Sequence, residues 1–358
     1  MSNRILGLTA AKRRVGRSLW SCFLILIFAS AFASVSAFIS AFVTPVIHAD
    51  ESEAVCICTE YPLERNGVTL HLDCTYLDDA QPEEALPGNL QPDETQPEQN
   101  GPKDHILLVH GSTYSSHEFD INYEDYSLVR KLARDGYAVW RLDIAGYGQS
   151  EEVEDGLMPD TAYAAEDIRA AVEAIVEETG QDKIDVLGWS WGTMTAGLFA
   201  GKYPEHLDKL VLYAPIFSGI GEQPVGSDFN HNTWDGAAED FQTDADGNFD
   251  LTVTDPILID MWCSSCWKYD GDSSPNGWRK DALVDKSVRL IDTEAITVPT
   301  LVICGGNDPY MDYEQVNASI NSLPEGSELC IIPGGSHIVL YEKPYYHEFQ
   351  ERVAAFLD

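Results

Sequence analysis

The pentapeptide Gly188-Trp189-Ser190-Trp191-Gly192 has the residue types and spacing for nucleophilic attack on an acyl carbon. A strand that turns sharply into a helix presses the positions two before and two after the serine together, so both must be glycine. The serine then sits in a strained backbone conformation that lifts its hydroxyl out of the turn. The helix that follows aims its positive end at developing negative charge. Ile184–Leu187 reads as a strand and Thr193–Lys202 as a helix, so the motif falls at the required junction.

A serine hydroxyl needs a base, and the base needs an acid to orient it. Downstream, the apolar run Thr300–Cys304 ends in Gly305-Gly306-Asn307-Asp308-Pro309, and Glu328–Ile332 ends in Pro333-Gly334-Gly335-Ser336-His337. Both loops follow strands and open on the sheet edge that carries Ser190, where such sites collect. Asp308 is therefore the candidate acid and His337 the candidate base, with Asp312 as the reserve acid. The other histidines are poorer placed: His347 falls in the last helix, His231 in a long insert and His71 in an N-terminal hairpin.

An acyl-transfer intermediate also needs amide donors for its oxyanion. The backbone N–H of Trp191 is one candidate. The other falls in His110-Gly111-Ser112-Thr113, with Ser112 favoured and Thr113 or Tyr114 as alternatives. His110 itself reads as a structural imidazole that ties the loop down. This chemistry calls for no cofactor and no metal.

Positioning these groups requires a regular frame. His105–Val109, Tyr137–Ile144, Ile184–Leu187, Leu210–Tyr213, Thr300–Cys304 and Glu328–Ile332 read as short apolar strands. Helical spacing falls between them at Asp125–Asp135, Thr161–Thr179, Thr193–Lys202, Tyr313–Ser322 and Pro344–Leu357. Apolar strands without alternation, separated by helices, predict an α/β fold with a parallel sheet covered on both faces. Ala54–Glu60 and Val68–Tyr76 predict an additional hairpin, turning at Arg65-Asn66-Gly67.

Together His110-Gly111, Asp143-Ile-Ala-Gly146-Tyr-Gly148-Gln-Ser150, Gly188-Trp-Ser-Trp-Gly192, Asp308 and His337 resemble the α/β-hydrolase superfamily, within it the capped esterase, lipase and peroxidase-like branch. The resemblance covers about residues 105–215 and 298–358. It implies a mainly parallel eight-stranded sheet with helices on both faces, a cap between the sixth and seventh strands, and a loop-shaping role for Asp143. The elbow is similar to that of prolyl aminopeptidases, but their longer glycine-proline oxyanion loop is replaced here by Ser112-Thr113-Tyr114. The resemblance implies a serine hydrolase cleaving carboxylic esters through an acyl-enzyme, its partner a small-molecule ester or acyl substrate. A prolyl-aminopeptidase-like peptidase and a perhydrolase or haloperoxidase-like activity are the alternatives on the same triad. A non-catalytic binding protein is the alternative of a different class.

Residues 216–297 form the insert, expected to act as a cap that chooses the substrate. Its aromatic residues Phe229, Trp234, Trp262, Trp267, Tyr269 and Trp278, with Trp189 and Trp191, either line an apolar acyl pocket or pack the cap. Trp189, Trp234 and Trp262 are the substrate-binding candidates. Asp244-Ala-Asp246-Gly-Asn248-Phe-Asp250 has the acid spacing of a calcium loop, but Phe249 stands where glycine should and Asp255 where glutamate should. An Asp-Gly hairpin turn explains it more simply.

The chain has 358 residues and a net charge of −37. Residues 1–49 hold five of the 22 basic residues and none of the 59 acidic ones, so the remainder carries −42. Such a surface repels nucleic acid and anionic lipid. Arg4, Lys12, Arg13, Arg14 and Arg17, followed by an uncharged stretch from Ser18 to Ile47, read as a targeting segment. It is expected to be either a signal peptide cut after Ala33 or Ala49, or an N-terminal membrane anchor. Both readings place the enzyme outside the cytoplasm, extracellular or at the cell surface. Residues 77–104 read as a proline-rich acidic loop. In an exported chain, some of Cys56, Cys58, Cys74, Cys263, Cys266, Cys304 and Cys330 are expected to form disulfides.

Overall fold

Asn66 and Gly67 adopt left-handed φ angles of 53° and 80°, the paired requirement of a tight two-residue hairpin turn. They join β1 (Val55–Arg65) to β2 (Val68–Asp78), both longer than the alternation alone predicts. This is a computed structural model, and it describes residues 55–78 and 102–358. The targeting segment and most of the acidic loop lie outside the described residues.

After the hairpin the chain alternates. β3 (Asp104–Val109) precedes α1 (Leu128–Arg134), β4 (Tyr137–Asp143), α2 (Thr161–Thr179), β5 (Ile184–Trp189), α3 (Trp191–Lys202) and β6 (Leu207–Tyr213). The helix expected from Asp125 starts only at Leu128, because the Ser127 hydroxyl accepts from Arg130 N–H and caps it there. α2 has the expected bounds: Asp160 caps its start and Gly180, at φ 72°, closes its end.

Between β6 and the next strand of the main sheet lie β7 (Phe229–His231), α4 (Trp234–Ala237), α5 (Pro256–Tyr269), β8 (Ser273–Pro275) and α6 (Gly277–Ala282). β7 and β8 form a separate antiparallel pair. The alternation resumes with β9 (Thr300–Gly305), α7 (Tyr313–Ser319), β10 (Glu328–Ile332) and α8 (Tyr345–Leu357).

The main sheet has eight strands in the order β1-β2-β4-β3-β5-β6-β9-β10. β2 runs antiparallel to both neighbours, and the six strands from β4 to β10 are parallel. Its inner strands are buried along their length, with Ile106–Val109, Val186–Leu187, Leu210–Tyr213 and Leu301–Cys304 at the centre of the core. Because the parallel strands point the same way, the loops bearing Gly111, Ser190, Asp308 and His337 all open at one sheet edge.

The disulfide expectation is corrected for six of the cysteines. Cys58, Cys74, Cys263, Cys266, Cys304 and Cys330 are free thiols. Cys263 and Cys266 instead pack their side chains into the core from α5. Among the described residues no helix is long and apolar enough to cross a membrane.

Candidate active site

Ser190 occupies the single residue between β5 and α3, with φ 55° and ψ −118°. That strain is held by two backbone bonds: Ser190 N–H donates to the Tyr213 carbonyl and Thr193 N–H to the Ser190 carbonyl, both at 2.9 Å. The sterics expected of the pentapeptide are visible. A Cβ on Gly188 would lie 2.2 Å from the Gly192 carbonyl oxygen, and one on Gly192 2.5 Å from that of Val109. The loop after β3 closes on the serine from the other side, where a Cβ on Gly111 would stand 3.1 Å from Ser190 Cβ.

His337 and Asp308 meet through a similar close approach. A Cβ on Gly305 would fall 2.2 Å from the Gly335 carbonyl, so the bare backbone lets the two loops touch. His337 Nδ1 then lies 2.7 Å from Asp308 Oδ2, with both side chains buried. The other Asp308 oxygen accepts from Tyr310 N–H at 2.9 Å. Burial alone would lower the His337 pKa, but the Asp308 charge and hydrogen bond, with Asp240 adding, carry it above the ordinary imidazole value. The His337 carbonyl accepts from the Tyr213 hydroxyl at 2.8 Å and from the Trp189 indole N–H at 3.2 Å. The Tyr310 ring stands edge-on to the imidazole at 4.8 Å.

The reserve acid is engaged elsewhere. Asp312 caps α7 by accepting from Glu314 and Gln315 N–H, and takes the Ser218 hydroxyl at 3.0 Å. His347 pairs with Asp125 on the surface, and His71 lies beside Asp143. His110 accepts the Ile144 N–H on Nε2 at 3.0 Å, so Nδ1 carries the proton it donates to the Gly111 carbonyl at 2.7 Å. Asp143 accepts the N–H groups of Ser116 and Gln149 and so joins the loops after β3 and β4.

Two adjoining lobes open over Ser190. The first, of about 240 Å³, is polar: Glu118, Asn230, His231, Asn232, Thr233, Glu239, Asp240 and Arg279 line it with Trp189 and Trp262. The second, of about 150 Å³, is lined by Trp191, Met194, Ile216, Ile220, Trp278 and Ala282. Ser112, Thr113, Ser190 and His337 border both lobes, whereas Tyr114 borders only the first. Ser112 and the first residue of α3, Trp191, therefore flank the serine. Helix N-terminal amides have no intrahelical acceptor.

The expectation for Trp234 is corrected. The residue is 45% exposed and borders neither lobe. α4 is fixed to α5 through its carbonyls, Ala237 accepting the Trp262 indole N–H and Trp234 the Cys263 thiol, and this arrangement leaves Trp234 exposed.

Several polar residues at the site carry no signal in the pentapeptide or the strand ends. Glu118, 3% exposed, accepts the Gly111 N–H at 2.7 Å, and burial pushes its pKa well above the ordinary carboxyl value. Glu239, Asp240 and Arg279 come from the insert. A second serine, histidine and aspartate also converge: Ser115 Oγ lies 2.8 Å from His117 Nδ1 and 3.1 Å from Asp270 Oδ2. This set borders neither lobe and ties the end of α5 to the loop after β3. Burial pushes Asp270 up to about 8 and His117 down to about 3, so near neutrality both are uncharged. The calcium-like segment forms a hairpin turn, in which Asp244 accepts from the N–H groups of Asp246 and Asn248.

Sheet order, elbow and converging loops define an α/β-hydrolase fold. Residues 100–344 match the family described as serine aminopeptidase, S33, and the chain belongs to that family. It is 25% identical over 255 residues to a Synechocystis sp. protein named as a non-heme chloroperoxidase, covering 65% of this chain and 84% of that protein. It is 32% identical over 115 residues to a proline iminopeptidase of Lactobacillus delbrueckii subsp. bulgaricus, a match spanning 32% of this chain and 36% of that one. The fold is shared with an esterase from Exiguobacterium antarcticum, at TM-score 0.56 and 17% identity over 84% of this chain and 98% of the other.

Proposed function

We propose that this serine hydrolase cleaves carboxylic esters, with Ser190 as nucleophile, His337 as general base and Asp308 as its orienting acid. The observation that carries the reading is the buried 2.7 Å contact of His337 with Asp308 at the cavity bordered by Ser190. His337 takes the serine proton as Ser190 Oγ bonds to the acyl carbon, and the carbonyl electrons move onto oxygen. The amides of Trp191 and Ser112 receive that oxyanion. The carbonyl reforms, the alkoxide leaves with the proton from His337, and water repeats the sequence on the acyl-serine to release the acid. An organofluorophosphonate should label Ser190, and Ser190→Ala should abolish labelling. A wild-type protein that neither labels nor hydrolyses short p-nitrophenyl esters overturns the reading.

A peptidase reading has one specific support. Glu239 and Asp240 face Ser190 from the insert, where acids suited to a substrate ammonium would stand, and the S33 family carries the aminopeptidase name. Aminoacyl p-nitroanilides compared with p-nitrophenyl esters of the same acyl group separate the two: kcat/KM higher on the anilide favours the peptidase.

Export rests on the basic, then uncharged, first 49 residues. Sequencing the N-terminus of the protein recovered from its natural source distinguishes cleavage from anchoring, and recovery from the cytoplasm with Met1 intact overturns both.

A further inference from the structure

The cavity over Ser190 contains a cation that meets no carboxylate within 4.0 Å among the described residues. Arg279 stands in α6 and borders both lobes. The helix start packs closely on the loop before α2, since a Cβ on Gly277 would lie 2.3 Å from the Pro159 carbonyl. The guanidinium stacks at 4.5 Å over the Trp278 ring and donates to Asn276 Oδ1. Its neighbour Lys280 pairs with Asp160 at 2.9 Å, whereas Arg279 enters no ion pair among the described residues. A guanidinium has five donors in a planar fork, and one withdrawn from water is costly unless an anion meets it. Burial pulls the Arg279 pKa below its ordinary value, and Tyr147 and Glu239 only partly oppose this.

We propose that Arg279 binds a carboxylate of the substrate, so that the enzyme prefers acyl substrates bearing a free carboxylate to their neutral counterparts. The planar fork accepts a carboxylate in two parallel hydrogen bonds, which fixes the substrate's orientation as well as its charge. Glu239, which shares both lobes, opposes an incoming anion less than its type suggests, because burial and Asp240 push its carboxyl pKa up against the partial opposition of Arg279. Asp240, which accepts the Tyr310 hydroxyl at 3.1 Å, is the anion beside the lobe that a substrate carboxylate must avoid. The proposal rests on the serine-hydrolase reading of Ser190.

The test uses two matched ester pairs. Monophenyl adipate against phenyl hexanoate places the charge on the acyl side, and 3-acetoxybenzoate against its methyl ester places it on the leaving group. In the wild type, at least one charged ester should have a KM roughly tenfold or more below its neutral partner, the worth of a charge-assisted hydrogen bond. Arg279→Gln should erase that preference, bringing the KM of the charged ester to that of its neutral partner, and Arg279→Lys should restore part of it. Fluorophosphonate labelling of each variant verifies that it is folded. Preference for neither charged ester, or a preference that survives Arg279→Gln, overturns the proposal. If no ester is hydrolysed and Ser190 is not labelled, the serine-hydrolase reading has failed instead.

Discussion

The indole N–H of Trp189 donates to the backbone carbonyl of His337 at 3.2 Å, tying the residue before the candidate nucleophile to the candidate base. Trp189 is therefore more than a wall of the cavity. Its ring also stacks on Tyr213, 5.1 Å away, whose hydroxyl supplies the second donor to the same carbonyl. Trp189→Phe keeps most of the packing and removes one donor. A neutral hydrogen bond contributes about 1 kcal/mol, so kcat should fall about fivefold with KM little changed. Trp189→Phe combined with Tyr213→Phe should cost more than the product of the single losses, because each donor alone still holds the loop. Steady-state kinetics of the three variants on one ester checks this, and a strictly multiplicative pair would mean that the carbonyl is not shared in effect.

The glycines of the elbow are expected to matter for folding before catalysis. A methyl on Gly188 would lie 2.2 Å from a backbone oxygen, with no flexible side chain to give way. Gly188→Ala should destabilise the protein by at least about 3 kcal/mol, beyond ordinary overpacking. A urea midpoint indistinguishable from wild type would show that the turn can relax.

The elbow is legible in the sequence because its sterics are local: the glycine spacing and the junction lie within a dozen residues. Asp308 and His337 are legible for a related reason, since each follows an apolar strand whose C-terminal end must reach the common edge. Glu118 is not, because its role depends on a loop folding back so that a carboxylate seven residues on meets Gly111 N–H. The insert is the least legible part. An aromatic residue type says that a side chain is large and apolar, but not which way it points, and so Trp262 borders the cavity while Trp234 does not. Arg279, Glu239 and Asp240 carry no periodic signal at all. The expectation of disulfides rests on compartment, and compartment does not place two sulfurs in bonding geometry.

The raised pKa of His337 sets activity and stability against each other. As general base it must be neutral, so kcat/KM should rise with pH through a midpoint above the ordinary imidazole value of about 6.5. For stability the sign is reversed. A base whose folded pKa exceeds its unfolded one contributes fully below the unfolded value, and the contribution is lost as pH rises through the folded pKa. The urea midpoint of wild type should therefore exceed that of His337→Gln most at low pH, and the gap should narrow across the window in which activity appears. Asp308→Asn should move the kinetic midpoint down and cut kcat on the order of a thousandfold or more. An unmoved midpoint would mean that the limb belongs to another group.

Glu118 allows charge and hydrogen bonding to be separated. Its carboxyl lies in the cavity wall and holds the Gly111 N–H at 2.7 Å, while its backbone carbonyl accepts the Tyr341 hydroxyl. Burial raises its pKa well above the ordinary carboxyl value by disfavouring the charged form, so the site favours a neutral acceptor there. Glutamine has the same shape and the same acceptor, so Glu118→Gln should keep kcat within about twofold of wild type. Glu118→Ala leaves the Gly111 amide unpaired and opens space behind the loop that bears Ser112. It should lower kcat by about tenfold to a hundredfold, the range for misplacing an oxyanion donor without removing it. If Glu118→Gln were as damaging as Glu118→Ala, the carboxyl would be acting through its charge or its proton, and the neutral-acceptor account would be wrong.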